Sequence, residues 1–525
     1  MMAKRTYIKY FLYSIGLLCL GSCHKILDQE PIDSTYDNVY WKSAKDCESG
    51  LAGAYSLLRA SLTYKTNSYY MYGDGVAQAY FTIQYNGDGL EAIQTGDFTG
   101  NYNVTSLGNW SRFYQTIAMC NTILYKVPLV SDSLLTDEDD PEEFKNNIIG
   151  QAYFIRAYTY FMLTRVWGDV PIENNYYSNP IDAPELPRSP KTDVMKQVED
   201  DCHEAMALLK WGYDNITDKA VTANKGSAYA LLAHLYLWRA TMSDVSTDVP
   251  IASDVQNADT TIDAILKSGQ YTFADTASYA KMFIGQSSES IFEIGMSEDN
   301  QEGSYSGFGL DFLPTQYLAT AGSNPRFYVV KSYLSDHFGY GGNWVWDEAA
   351  WQWDWVADYD TADVRFRDNF ANVTQDHPVC LKYSNVVYRG PNNTEPYLSN
   401  SMILFRLSDI QLLKAETSIY KNDLTTAINV INDMRTRRGA NPGTLIDAGT
   451  SKDDVMYQYI LERGKELYLE GQIFWDLLRT REYNNFASWL GETRFKKEGF
   501  YWPIDPTLFN DNINLTQTSY WRGKL

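Results

Sequence analysis

The chain has 525 residues, 44 Lys+Arg against 66 Asp+Glu and a formal net charge of −22; such a length suits roughly two to four domains or one repeat-built body. The acid excess comes with no basic stripe, which excludes a nucleic-acid partner, because phosphate binding needs clustered cations; it is compatible with an uncharged ligand. Hydrophobic residues at 44% and charged residues at 21% are ordinary for a globular protein, but 41 Tyr against 22 Phe is not. A ring with a polar tip suits wet contact surfaces as well as cores.

The first ten residues, "MMAKRTYIKY", carry Lys4, Arg5 and Lys9 and no acid, and the next ten, "FLYSIGLLCL", are apolar. That apolar run is shorter than the ~20 residues a membrane-spanning helix needs. The layout predicts a secretory signal peptide over residues 1–22. Leu20, Gly21, Ser22 and Cys23 have the form of a bacterial lipobox. Small residues admit the peptidase, the Cys23 thiol takes the lipid, and acyl chains at about 0.8 kcal/mol per buried CH₂ tether the protein. Removing the leader leaves 41 Lys+Arg against 66 Asp+Glu. Cys47, Cys120, Cys202 and Cys380 are far apart with no CxxC, so they signal neither zinc nor redox chemistry, and their three disulfide pairings stay open.

Apolar residues at helical spacing predict helices over 43–62, with Ser43 as its cap, then 142–167, 189–209, 223–242 and 252–269. Three more segments follow, 406–422, 423–439 and 453–481. Ala152, Ala157, Ala228, Ala230, Ala233 and Ala415 lie inside them and let helices approach closely, as in a tetratricopeptide-like solenoid, although no clean 34-residue period is present. Residues 64–110 and 285–400 lack sustained helical period and are rich in Gly, Asn, Tyr and Trp. They read as long loops and short strands carried on the helical body, and loops of that length are usually functional. The chain thus divides after the leader into a helical part (23–284), a loop-rich part (285–400) and a second helical part (401–525).

"NWVWDEAAWQWDW" (343–355) is the most unusual stretch, with five of the 14 Trp: Trp344, Trp346, Trp351, Trp353 and Trp355. Gly341, Gly342 and Asn343 before it favour a turn into a strand over a helix. In strands Trp351, Trp353 and Trp355 share one face, and Trp344 and Trp346 share a face of a preceding strand, with "DEAA" as the turn. Two or three uncovered indoles reach the ~300–600 Å² that marks a binding surface. Sugars stack their C–H face on indoles and hydrogen-bond to flanking groups such as Gln352, Asp354 and Asp347. Tyr72, Tyr80, Tyr85 and Asn86 in the first long loop are further ligand candidates. Trp110 begins a helix and reads as core.

Enzymatic signatures are sparse. Glu462, Glu466 and Glu470 share a helix face, which could suit glycoside hydrolysis but is better explained by ion pairs with neighbours such as Arg463, Lys465 and Arg479. HExxH, GxSxG and GxGxxG are absent, and "GSYSG" (303–307) has Tyr305 in the nucleophile position. His24, His203, His234, His337 and His377 show no metal-ligand spacing, and His234 reads as a packing residue. Asp358, Asp360 and Asp363 lack the EF-hand pattern and read as a solvated loop, so neither a cofactor nor a structural calcium ion is indicated.

Most of the chain resembles the SusD/RagB family. The likeness is carried by residues 27–58, by "GQAYFIRAYTYFMLTRVWGDVPI", by "RLSDIQLLKAET" and "INDMRTRRGA", and by "ILERGKELYLEGQIFWDLLR" and "YWPIDPTLF". Departures fall at Ile473, where the family has Arg, at Pro503-Ile504-Asp505, and at Gln517-Thr518-Ser519-Tyr520. The resemblance implies a mainly α, tetratricopeptide-like scaffold with long irregular loops and a few short strands. It also implies an outer-membrane lipoprotein that faces outward and passes a nutrient, foremost a glycan, to a SusC-like TonB-dependent transporter. A peptide-binding member of the family is the alternative, and a glycoside hydrolase a weaker one. The family's ligand residues sit on variable loops and do not transfer by motif.

Overall fold

In the computed structural model, which describes residues 40–299, 302, 308–349, 351–392 and 394–524, Ser43 Oγ accepts the Asp46 amide at 3.2 Å and starts α1 (Ala44–Leu62). The leader, Cys23 and "GSYSG" lie outside the described residues. The buried stripe of α1 (Cys47, Leu51, Ala54, Leu58) packs on that of α2 (Ser111–Lys126; Phe113, Ile117, Cys120, Ile123). Asp140 caps α3 (Pro141–Trp167) through the Glu142 and Glu143 amides, and Pro141 sits where no helical N–H is needed. From Gly150 onward α3 is buried almost all round, because α1, α2 and α4 (Lys191–Leu208) enclose it. A reciprocal Asn224–Ser227 box opens α5 (Lys225–Met242), which pairs with α6 (Ala252–Lys267).

The loop-rich part contributes α7 (Lys331–Phe338), α8 (Val364–Asn369) and most of the strands. In chain order these are β1 (Phe81–Ile83), β2 (Ser290–Ile294), β3 (Phe327–Val329), β4 (Gly339–Asp347), β5 (Gln352–Tyr359), β6 (Phe370–Ala371), β7 (Val379–Cys380), β8 (Val386–Arg389), β9 (Glu395–Leu398) and β10 (Met402–Arg406). Among the described residues they pair only as antiparallel two-stranded ladders: β1–β3, β2–β10, β4–β5, β6–β7 and β8–β9. The chain then returns to helix with α9 (Leu407–Tyr420), α10 (Leu424–Arg437), α11 (Lys452–Glu466) and α12 (Ile473–Thr480). Each long helix packs on its sequence neighbour from α1 to α6, then α6 on α9, and α9 on α10 and α11. This succession of helix pairs is the solenoid logic the small residues imply. Ala152, Ala157, Ala228, Ala230, Ala233 and Ala415 are all fully buried in it.

Two local expectations are corrected. Residues 453–481 form two helices, because Leu469 and Gly471 take φ of +58° and +73° and break the run. The break is held by Asp74, which accepts the Gly471 amide at 2.6 Å and the Ile473 amide at 3.4 Å. It also needs Gly73, where a Cβ would sit 2.0 Å from Gly471 O. The acidic loop is not solvated: Asp360 and Asp363 are buried, and only Asp358 is exposed. Asp363 Oδ1 caps α8 through the Arg365 amide at 2.9 Å, and Asp360 Oδ2 takes the Asn441 amide at 2.7 Å.

The polar heart of the C-terminal part is a buried ion network. Glu466 meets Arg406 and Arg438 at 2.7 Å each, Glu470 meets Lys382 at 2.6 Å, and Glu462 meets Arg365 at 2.5 Å and Arg435 at 2.8 Å. The glutamates pair with side chains from α8, α10 and the β7 and β10 regions. Of the neighbours expected from sequence only Lys465 approaches, at 3.9 Å from Glu462. Arg463 and Arg479 turn to Asp476, Asp409 and Glu416 instead. Burial raises the Glu466 carboxyl, but Arg438, Arg406 and Arg365 more than offset it and hold it well below the usual carboxylate range. Glu462 falls to about 2 against the same burial, through Arg365, Lys465 and Arg435. Three fully paired carboxylates out of contact with solvent cannot protonate a glycosidic oxygen. His234 is likewise a packed residue, buried with Nε2 at 2.7 Å from Asp409 Oδ2. Cys47, Cys120, Cys202 and Cys380 are buried free thiols, and burial pushes Cys120 and Cys380 up to about 12.

Candidate functional site

The tryptophan stretch forms a two-stranded hairpin, as the alternation predicts. β4 and β5 pair with Trp344 opposite Trp355, Val345 opposite Asp354, and Trp346 opposite Trp353. Its base is fixed on the body: both strands pack on α7, Asp360 N donates to Phe338 O at 2.8 Å, and Tyr359 stacks on Phe366 at 4.9 Å. Beyond the base its indoles are exposed. Trp344 is 62% exposed, Trp346 38%, Trp353 61% and Trp351 80%. Opposed residues in a ladder share a face, so Trp344, Trp346 and Trp353 present one indole surface. Trp346 lies 5.6 Å from Trp353 and 5.8 Å from Trp351, both edge to face.

Two site expectations change here. Trp351 is not a strand residue: its φ of +53° puts it in the turn, at the tip, where a bulky side chain is rare and costs backbone energy. Asp354 lies on the reverse face with Val345 and Val356, and its Oδ1 accepts Gln352 Nε2 at 2.8 Å, so it does not edge the indoles. Trp355 holds its register place in the backbone, while its side chain lies outside the described residues.

Tyr72 and Tyr80 are corrected to core. Tyr72 is fully buried, donates to Leu107 O at 2.5 Å, and sets its ring edge-on to Trp167 and Trp502. Burial raises its phenol despite the neighbouring Arg112. Tyr85 and Asn86 are different, since both are exposed, Tyr85 at 78%. Gln84 N donates to Arg326 O at 2.9 Å and extends the β1–β3 ladder by a step. The next residues, Tyr85 and Asn86, therefore leave the ladder alongside Pro325 and Asn324. Those two line a polar pocket of about 270 Å³, shared with Asn372, Gln375, Asp376 and His377. Among the described residues Gln84 Nε2 and Arg326 Nε, on the adjoining ladder step, are buried without a hydrogen-bond partner. Arg326 pairs with Asp88, and burial pushes Asp311 up to about 6 against the pull of Arg326.

Sequence reasoning missed this pocket. Its signal was present in "SNP" and "QDHP", two turn signatures over 200 residues from Tyr85; nothing local says that they converge. The pocket and the hairpin sit at the two ends of α7. Lys331 Nζ at its start is 3.4 Å from Asp376, and β4 follows its last residue. Eight helical residues set those ends about 12 Å apart. A third concavity, an apolar groove of about 720 Å³, lies on the helical side between Trp110 and α2 (Tyr114, Met119) and Pro171, Pro184 and Leu508. Trp110 itself is buried, as expected. Among the described residues no group of three His, Cys, Asp or Glu is placed to hold a metal ion, and no helix is long and apolar enough to cross a membrane.

Comparison with known proteins places this architecture. Residues 27–237 match a SusD-like family model described as "Starch-binding associating with outer membrane", and residues 344–521 match the SusD family model. The chain is 26% identical to SusD-like protein P38 of Formosa agariphila over 97% of both chains. It is 23% identical to a SusD-like protein of Bacteroides ovatus, over 86% of this chain and 79% of that one. Among solved structures, a SusD homolog from Bacteroides thetaiotaomicron superposes with a TM-score of 0.74 at 23% identity, over 92% of this chain and 100% of the other. B. fragilis NanU gives 0.65 at 22%, over 93% and 99%. The solenoid of helix pairs, the loops it carries and both matching segments agree: the chain belongs to the SusD/RagB family.

Proposed function

We propose that this protein captures a glycan at the outer surface of the outer membrane and delivers it to a SusC-like TonB-dependent transporter. Lipid on Cys23 holds it at the membrane. The observation that carries the reading is the exposed hairpin, with three indoles on one face and a fourth at its tip. A monomer rarely leaves so much contiguous apolar surface bare without a binding role. Indoles offer flat apolar area at low conformational cost and match the C–H face of a pyranose. The polar pocket beyond the other end of α7, with Tyr85 at its margin, supplies the amide, carboxylate and imidazole groups that ring hydroxyls need. No bond-breaking step is assigned: binding and hand-over are the whole activity.

The test is affinity electrophoresis of the protein starting at His24 through gels that contain plant, host-mucosal or microbial polysaccharides. Retardation by one class, lost in the Trp346→Ala/Trp353→Ala double variant, supports the reading. Free migration through every polymer refutes it and turns attention to peptides.

A further inference from the structure

The apolar groove of about 720 Å³ on the helical side takes no part in the glycan site. Its surface is mostly hydrocarbon: Leu57 of α1, Tyr114 and Met119 of α2, and Leu515 are partly exposed, and Ala118 and Pro184 are exposed. The charged residues on its walls are Glu173 and Asp511, with no Lys or Arg among the described residues that line it, so it does not suit an anion. Gln115 and Asn175 add side-chain amides, which match the backbone groups of an extended segment. The chain enters beside one end of this groove. Trp41 is buried with φ of +64°, and a Cβ on Gly50 would lie 2.5 Å from its ring and 3.6 Å from Met119 Cε. A bulky residue rarely takes that conformation, so the packing of Trp41 fixes where the chain comes in. Gly53 also faces Met119, and Leu57 follows one turn on, about 10 Å along α1 from Gly50.

We propose that the groove seats the chain's own segment 24–39, which precedes Tyr40 and lies outside the described residues. Its sequence, "HKILDQEPIDSTYDNV", carries two apolar pairs, Ile26-Leu27 and Pro31-Ile32. Pro31 disfavours helix at its own position and at the one before, which suits an extended run along a groove. Residues 24–39 reach about 50 Å when extended, several times the distance from Trp41 to Leu57. Asp28, Glu30 and Asp33 fall between and beside the apolar pairs and are left to water. A terminus is ordered only where something ties it down, and the groove offers that next to the point of entry. The consequence is orientation. Lipid on Cys23 would sit three residues from Ile26, so a seated segment draws the face that bears the groove toward the membrane. The docking itself goes beyond the glycan reading and does not depend on it.

Hydrogen–deuterium exchange, read by mass spectrometry on the protein starting at His24, tests this. Amides of residues 26–32 are expected to exchange about ten-fold more slowly than in a synthetic peptide of residues 24–39. Two variants attack the contact from its two sides: Leu27→Asp/Ile32→Asp in the segment, and Ala118→Arg at an exposed position of α2 inside the groove. Each is checked by circular dichroism for an intact helical body, and each should return residues 26–32 to the rate of the free peptide. Free-peptide exchange in the unaltered protein overturns the proposal. Protection that survives Ala118→Arg also overturns it, because the segment is then held elsewhere. Protection that appears only at high protein concentration overturns it as well, since a second copy then supplies the contact. None of these readouts uses a glycan, so failure of the polysaccharide gels and failure of this proposal are told apart.

Discussion

Two regions of this molecule invert the usual arrangement. In the buried ion network, Arg365, Arg406, Arg438, Glu462 and Glu466 lie wholly inside; in the hairpin, four indoles are exposed. Charges are normally left in water and indoles taken out of it, so each region needs a reason. In the buried network every carboxylate has a cation within 2.8 Å, which makes it a structural unit closed to solvent. In the hairpin the indoles of Trp344, Trp346, Trp351 and Trp353 remain exposed. A closed set of partners marks architecture, and an open one marks a site.

The largest expected effect is on the architectural side. Glu466→Gln leaves Arg365, Arg406 and Arg438 buried around a neutral amide, and a broken buried ion set costs about 3–5 kcal/mol. Guanidinium unfolding should show that loss, with glycan affinity of the folded fraction unchanged. A loss below about 1 kcal/mol would mean that the network relaxes or admits water, and the contrast between the two regions would weaken.

A second break uses pH. Burial pushes Asp74 up to about 8, only partly offset by the Gly471 and Ile473 amides. Between about pH 4 and pH 8 the folded state holds this proton and the unfolded state does not. Stability from this group therefore falls as pH rises, by about 1.4 kcal/mol per unit. His337, lowered to about 3 by burial, acts oppositely from about pH 3 to 6.5, since there only the unfolded state binds the proton. The clean measurement is the difference between wild type and Asp74→Asn, which should shift by about 2–3 kcal/mol from pH 5 to pH 7 in favour of the variant. No shift would place Asp74 in contact with water, and the helix break at Gly471 with it.

On the binding side, Trp353→Ala is expected to weaken glycan affinity about ten-fold, roughly 1.4 kcal/mol, while the melting temperature moves by no more than about 2 °C. Truncating an exposed ring removes contact area for a ligand but little for the core. A large drop in melting temperature would instead make the hairpin a packed element of the body.

How much of this could be read in advance follows from range. The helices were legible because 3.6-residue periodicity, the Ser43 cap and the buried alanines are local, and the hairpin because alternation is local too. Tyr72 lies in a Gly- and Tyr-rich stretch that reads as a loop, whereas its burial depends on Trp167 and Trp502, far away in the chain. The helix break at Gly471 needed Gly73 and Asp74, some 400 residues distant. The polar pocket required three segments to converge. Its place between two indoles suggests that Asp354 meets the ligand, but the same alternation that exposes the indoles sends it to the other face.

That reverse face gives the smallest and most discriminating prediction. Val345 and Val356 stand on it, each about half exposed, and neither belongs to the indole surface. If the ligand lies on the indoles alone, Val345→Thr/Val356→Thr should leave glycan affinity within about two-fold, because β-branched Thr keeps the strand and changes only the far side. An equal loss from both faces would require something that grips the hairpin all round. A glycan chain lying on one flat surface cannot do that, but a protein cleft can, and the hairpin would then be a key for the transporter. The comparison between closed and open regions would survive, with a different occupant.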